Sequence, residues 1–254
     1  MTRTQTDNQI EEEHLLNFVV NTLDEELPID LADGVKVSSE KLYEVLAGAS
    51  ASGTSVNQIC EETEDSPHAN TVRGYLTDQF DLNTVEQVGD TLLQRDTVET
   101  LPDRPVEVVA DLHLDPYYGD EDETEALYSS LAKRGTTTFH AYATLYARVR
   151  NKRYTLAVRQ LVAGETSSDV LREFLELLDG LDLRVKAVYL DRGFYNSTCL
   201  GLLYAYNYAY VIPVVRWGET IQDELSSGWS RVIEHELAGK VTFPVYIDCV
   251  YQQG

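Results

Sequence analysis

Residues 105–215 predict an α/β domain built on a mixed sheet, behind a small all-α region and ahead of a β-rich segment. Three observations carry this. Thr136–Val149 alternates cleanly, with apolar side chains from Phe139 onward on one side and polar ones on the other. Its hairpin partner is followed by a helix and then another strand, the order of a crossover connection. The first hundred residues show helical periodicity instead, closed off by Leu101–Pro105 with two prolines in five positions.

Each element has its own justification. Ile10–Leu23 places Ile10, His14, Leu15, Phe18, Val19 and Thr22 at helical spacing. Ser38 and Ser39 cap a helix over Glu40–Ala47, and Thr54 caps a short one carrying Val56, Ile59 and Cys60 on one face. After a turn at Glu64–Pro67, His68–Phe80 turns Val72, Leu76 and Phe80 inward. Two short helices joined by a turn suggest a helix-turn-helix, offering His68, Asn70, Thr71 and Arg73 to DNA; a plain helical bundle shows the same pattern. Thr84–Asp96 completes the region, so residues 1–100 read as a helical domain.

Val106–His113 reads as a strand whose Asp111 stands at its end, with Asp115-Pro116 as a stop. Thr136–Val149 turns Phe139, Ala141, Ala143, Leu145, Ala147 and Val149 to one side and His140, Tyr142, Thr144, Tyr146, Arg148 and the following Arg150 to the other. Asn151-Lys152 turns the chain into Tyr154–Leu161. Thr166–Ser168 caps a helix over Asp169–Leu178, Arg184–Leu190 is a strand ending at Asp191, Ser197–Tyr206 a helix, and Tyr208–Val215 a buried strand. This order is that of a ribonuclease-H-like mixed sheet with flanking helices. Residues 216–254 read as a polar loop, Trp217–Leu225, then β segments Val232–Leu237 and Val241–Tyr251, the start of an incomplete β-rich insertion.

Composition bounds the function. The chain has 254 residues, 43% of them hydrophobic, too many for a disordered chain. Cys60, Cys199 and Cys249 are too few and too scattered for a disulfide scaffold or a Cys-rich zinc module. No signal sequence and no bilayer-spanning run is present in the sequence, so a reducing cytoplasm is expected. The net charge is −23, from 43 acidic and 20 basic residues. An ordinary acidic protein is one reading; the stronger is a halophilic one, because dense carboxylates keep a surface hydrated where salt near 1 M shortens the Debye length to ~3 Å.

That charge is uneven. Residues 1–104 carry 22 acids and 6 bases, whereas Ala126–Gly164 carries no acid and seven bases: Lys133, Arg134, Arg148, Arg150, Lys152, Arg153 and Arg159. A basic edge strand that resists aggregation is the bland explanation. The sharper one is a phosphate-contact surface on double-stranded DNA.

Asp111 and Asp191 are the candidate metal ligands, since the first and fourth strands of such a sheet are neighbours. Two carboxylates there suit Mg²⁺ or Mn²⁺ acting on a phosphodiester. Strand-end aspartates that merely accept backbone hydrogen bonds are the alternative. His113 and Asp115 share strand parity with Asp111 and flank it. Asp120, Glu121, Asp122, Glu123 and Glu125 read as a solvated loop, and Asp223 and Glu224 as surface. Gly193 alone is too short a signal for a nucleotide-binding loop.

Three blocks extend the reading: Ala110-Asp111-Leu112-His113-Leu114-Asp115-Pro116-Tyr117-Tyr118-Gly119, Ala132-Lys133-Arg134-Gly135-Thr136-Thr137-Thr138-Phe139-His140-Ala141-Tyr142-Ala143-Thr144, and Tyr189-Leu190-Asp191-Arg192-Gly193-Phe194-Tyr195. They resemble haloarchaeal insertion-sequence transposases of the DDE type, over essentially the whole chain. The resemblance implies Asp111 and Asp191 as the first two catalytic acids, and a third, a Glu on a late helix, that has no match here. Glu234 and Glu236 fall in a β-like segment. A C-terminally truncated and inactive copy is therefore expected. The resemblance also implies Mg²⁺ or Mn²⁺ as cofactor, transposon ends and target DNA as partners, a homodimer on DNA as a candidate assembly, and Lys133, Arg134, His140, Arg148, Arg150, Lys152 and Arg153 as DNA contacts. The rival readings are a non-catalytic DNA-binding remnant and another ribonuclease-H-like nuclease, such as a structure-specific resolvase.

Overall fold

The computed structural model describes residues 12–120, 126–214, 219–226, 228–237 and 241–247. The chain divides into two compact units, Met1–Val88 and Gly89–Gly254.

The first unit is helical. It contains α1 (Glu12–Glu26), α2 (Ser39–Ser52), α3 (Val56–Glu62), α4 (Ala69–Gln79) and the start of α5 (Leu82–Thr100). Its core is Val20, Ile29, Leu42, Tyr43, Val45 and Val72, with Leu76, Phe80, Val56, Ile59 and Cys60 packed against it. Ser38 caps α2 as expected, but α3 is capped by Ser55, whose side chain accepts from the Gln58 amide; Thr54 Oγ1 reaches the Gln58 side chain instead. The expected inner face of α1 is rotated: Leu15 and Phe18 lie in solvent, while Val20 is buried and Leu23 packs on the core. The Gln79 side chain pairs with both backbone groups of Asp30, at 2.6 and 2.7 Å, tying α4 to the α1–α2 connection. The Tyr43 hydroxyl donates to the Leu27 carbonyl, and burial, with Asp24 nearby, pushes its pKa up to about 12.

The second unit is a mixed sheet of six strands. These are β1 (Val106–Pro116), β2 (Tyr128–Lys133), β3 (Thr136–Val149), β4 (Lys152–Leu161), β5 (Val185–Leu190) and β6 (Tyr210–Val211). The order is β2-β3-β1-β5-β6, with β4 also paired to β3. β1 is antiparallel to β3 and parallel to β5, and β5 is parallel to β6. Helix α6 (Ser167–Gly180) makes the crossover from β4 to β5, and α7 (Ser197–Ala205) follows β5. The strands expected from the sequence thus lie in the order β4-β3-β1-β5-β6, the ribonuclease-H-like arrangement, with β2 added to the β3 edge.

Alternation sorts the two faces. Val106, Val108 and Ala110 of β1, Ala141, Ala143, Leu145 and Ala147 of β3, and Leu156, Ala157 and Leu161 of β4 form one core with Val170, Leu171, Phe174, Leu175 and Leu178 of α6. Thr166 starts α6 with a complete capping box to Asp169. Arg159 belongs to this helical side: it makes a bidentate pair with Asp90 of α5 at 2.6 and 2.9 Å, and a 2.9 Å pair with Glu173 of α6.

Several expectations change. β2 lies where a loop was expected; it is a short, exposed edge strand without an apolar run. β1 continues past Asp111 to Pro116, because β3 is long enough to pair with it through Phe139. The turn after β3 is Arg150-Asn151, one residue earlier than expected. The buried strand expected at Tyr208–Val215 reduces to Tyr210–Val211, with Val211 exposed; Pro213 has no N–H to extend the ladder, and Val215 lies outside the described residues. The polar loop contains helix α8 (Glu219–Ser226), anchored by buried Ile221; Trp217 and Gly218 lie outside the described residues. β7 (Arg231–Leu237) and β8 (Val241–Ile247) pair antiparallel as a separate sheet. Glu234 and Glu236 are accordingly on a strand. Cys60 and Cys199 are free thiols, and Cys249 lies outside the described residues. No helix is long and apolar enough to cross a membrane among the described residues.

Candidate functional site

Cross-strand partners in a sheet share a face. Opposite the helical core, β1 therefore presents Glu107, Val109, Asp111, His113 and Asp115, paired with Arg148, Tyr146, Thr144, Tyr142 and His140 of β3. Asp111, His113 and Asp115 are exposed there.

Asp191 follows Leu190, the parallel partner of Ala110, and its amide donates to the Ala110 carbonyl at 3.2 Å. The two aspartates thus occupy equivalent positions on adjacent strands, about 5 Å apart across the sheet. Asp111 has no hydrogen-bond or ion-pair partner among the described residues. Asp191 caps the single 3-10 turn Arg192–Phe194, its side chain accepting from the Gly193 amide at 3.4 Å. Gly193 is needed for close approach: a Cβ there would stand 3.0 Å from Leu112 Cδ2. That packing role explains a glycine too isolated in the sequence to signal a phosphate loop.

The pair offers hard oxygen ligands, one free and one partly engaged. Among the described residues no group of three or more His, Cys, Asp or Glu side chains is placed to hold a metal. Two carboxylates nonetheless fit a Mg²⁺ site completed by water and substrate phosphate, the usual habit of that ion. Asp120 gives its backbone carbonyl to the Tyr117 hydroxyl; Glu121, Asp122, Glu123 and Glu125 lie outside the described residues.

The basic residues separate into two groups. Lys133 and Arg134 form the β2–β3 turn, with Arg134 (φ 53°) and Gly135 (φ 86°) as its two central residues. Arg148, Arg150, Lys152 and Arg153 surround the β3–β4 turn, centred on Arg150 (φ 48°) and Asn151 (φ 67°). Two-residue turns of this hand require positive φ at both positions. That conformation costs an arginine about 1–2 kcal/mol in strain, yet arginine fills the first position of both turns. The six Lys and Arg side chains are exposed and none makes a salt bridge among the described residues.

His140 is half-buried beside Tyr117, ring centroids 5.2 Å apart, with its Nδ1 buried and unpartnered. Along β3, His140 and Arg148 each lie four residues from Thr144, the partner of Asp111. At ~3.3 Å per residue, each is about 13 Å from the aspartate level. The arginine-rich β3–β4 tip is thus well removed from the carboxylates along the strand axis, and the basic residues bracket the pair from both ends. Arg159, counted with them in the acid-free window, instead clamps α5 to α6.

Sequence reasoning placed Tyr146 on the polar face of its strand but gave neither it nor Tyr189 nor Glu107 a part in the site. Tyr189 donates to Glu107 at 3.3 Å, and Lys186 pairs with the same carboxylate at 3.0 Å. Strand parity places Glu107 and Tyr146 on the open face; their clustering needed the β1–β5 register.

No known family profile matches the chain, and no curated protein matches it. Among solved structures it is similar to a piggyBac transposase synaptic complex with hairpin DNA, at TM-score 0.45 and 10% identity, over 94% of this chain and 60% of that one. The Mos1 strand transfer complex is a second, at TM-score 0.26 and 13% identity, over 73% of this chain and 61% of that one. The chain spans about 60% of the length of these proteins.

Proposed function

We propose that this chain acts on DNA as a transposase-like protein, cutting and joining phosphodiesters with Mg²⁺ or Mn²⁺ held by Asp111 and Asp191. The observation that supports the reading is the backbone alignment of those two aspartates at neighbouring positions of β1 and the end of β5, with arginines and lysines that make no salt bridge among the described residues toward both ends of the sheet. A divalent cation between such carboxylates supplies Lewis-acid polarisation and a nucleophile at neutral pH. The protein's own part is positional. Lys133, Arg134, Arg148, Arg150, Lys152 and Arg153 bind backbone phosphates on either side, and the two aspartates lie under the duplex between them. His140 and His113 line the same face as further contacts.

In the first unit, α3 and α4 are the proposed helix-turn-helix for transposon ends. Asn70 and Arg73 are exposed on α4 and bonded to each other at 3.1 Å; His68 caps the helix through Nδ1. The acidic remainder of the surface suits a salt-rich cytoplasm. Two copies on paired ends are the proposed assembly.

One observation favours a second reading, a DNA-binding protein without catalysis. Asp191 already accepts the Gly193 amide, and no third acid joins the pair among the described residues. Two carboxylates bind the metal weakly, so cleavage is expected to be slow. The test is strand cleavage of end-bearing DNA with Mg²⁺ and with Mn²⁺, beside Asp111→Asn. Slow cleavage abolished in the variant, with DNA binding retained, supports the catalytic reading. Binding with no cleavage in either protein supports the second. Cleavage indifferent to the end sequence points to a different nuclease.

A further inference from the structure

The open sheet face holds a cleft of about 420 Å³ at the end nearest the β3–β4 turn. Its size falls within the roughly 300–1,000 Å³ of small-molecule sites. Val109 is in its lining, with Tyr146 on one neighbouring strand and Tyr189 on the other, each its register partner. The two tyrosines thus start about 10 Å apart across an aliphatic residue. Arg148 and Arg153, direct cross-strand partners, complete the cleft. The Arg153 guanidinium lies over the Tyr146 ring at 5.1 Å.

These features agree on one ligand chemistry. Like charges placed directly opposite in a sheet are destabilising; Glu107 faces Arg148 from β1 and offsets part of this, and an anion between Arg148 and Arg153 relieves the rest. The only carboxylate in the lining, Glu107, is committed to Lys186 and Tyr189, and the Lys186 hydrogen bond holds it below the usual carboxylate range. Two cations in the lining, Arg148 and Arg153, against that one engaged carboxylate make this a positive spot on a chain of net charge −23. The guanidinium stacked on Tyr146 and the ring of Tyr189 offer flat surfaces of the kind on which unpaired bases stack.

We propose that this cleft receives one unpaired nucleotide of DNA, its phosphate between Arg148 and Arg153 and its base against Tyr189 and the Arg153–Tyr146 stack. The inference rests on the DNA-acting reading and adds that the protein distinguishes frayed or overhanging DNA from an intact duplex.

The test compares the full chain's affinity for a duplex with a single-stranded overhang and for a blunt duplex of equal phosphate count, by fluorescence anisotropy in about 1 M KCl. The wild-type protein is expected to prefer the overhang. Tyr189→Ala should weaken overhang binding on the order of ten-fold while leaving blunt-duplex binding unchanged. Tyr189→Phe, which keeps the ring and loses the Glu107 bond, should retain the preference and guards against misfolding of the alanine variant. Equal wild-type affinity for the two DNAs overturns the nucleotide site and leaves the DNA-acting reading standing. Binding to neither overturns both.

Discussion

Asp111 and Asp191 owe their proximity to two kinds of residue. Ala110 and Leu190 align the strands, and Gly193 lets the turn after β5 settle on Leu112. A methyl at position 193 requires Leu112 to yield by a few tenths of an ångström, or the turn bearing Asp191 to lift. Gly193→Ala is therefore expected to cost about 1 kcal/mol in denaturant unfolding. Combined with Leu112→Ala, which opens the space, the two changes should be non-additive in a double-mutant cycle. Strict additivity would mean that this packing does not set the turn. The neighbouring positions of the two aspartates were legible from the sequence because each follows a β-rich run, although β1 continues past Asp111 to Pro116. Tyr146, Tyr189 and Glu107 were not, because only the parallel register of β1 with β5 brings Tyr189 beside residues about eighty positions away.

At the scale of elements, local chemistry was the better guide where it was strong. β3 was legible because its side chains alternate from Phe139 to Val149. α6 carries its capping box and apolar stripe in plain view, and Thr166→Ala should remove about 1 kcal/mol of stability, measured by thermal or urea unfolding. Local chemistry failed where an element is short or edge-bound. β2 has little to bury, and its clearest signal was the Arg134-Gly135 turn. β6 read as buried because Tyr208–Val215 is apolar, yet an edge position and Pro213 leave two paired residues. The α1 face was misread because Leu15, Leu16 and Phe18 on that helix are all exposed.

For the whole molecule, the charge distribution matters more than its sum. A net charge of −23 repels DNA at long range, and salt near 1 M reduces that range to ~3 Å. Basic residues then act only where they meet the phosphates directly. The variant with Arg148, Arg150, Lys152 and Arg153 all changed to Gln should bind duplex DNA more weakly, with a flatter salt dependence. The slope should fall by about 0.9 log units per decade of salt for each phosphate that is no longer neutralised. An unaltered slope would return these residues to the role of guarding a sheet edge.

One edge of β3 is shared by two strands: β2 pairs with it up to Phe139, and β4 from Ala141 onward. His140 alone sits at the changeover. The sheet is therefore stitched in two seams with a single unstitched position between them. Opening the β2 hairpin, with Lys133 and Arg134 at its tip, need not unzip β4; what holds that arm of the basic bracket is instead the segment after β1, where the Tyr118 hydroxyl donates to the Arg134 carbonyl at 2.9 Å.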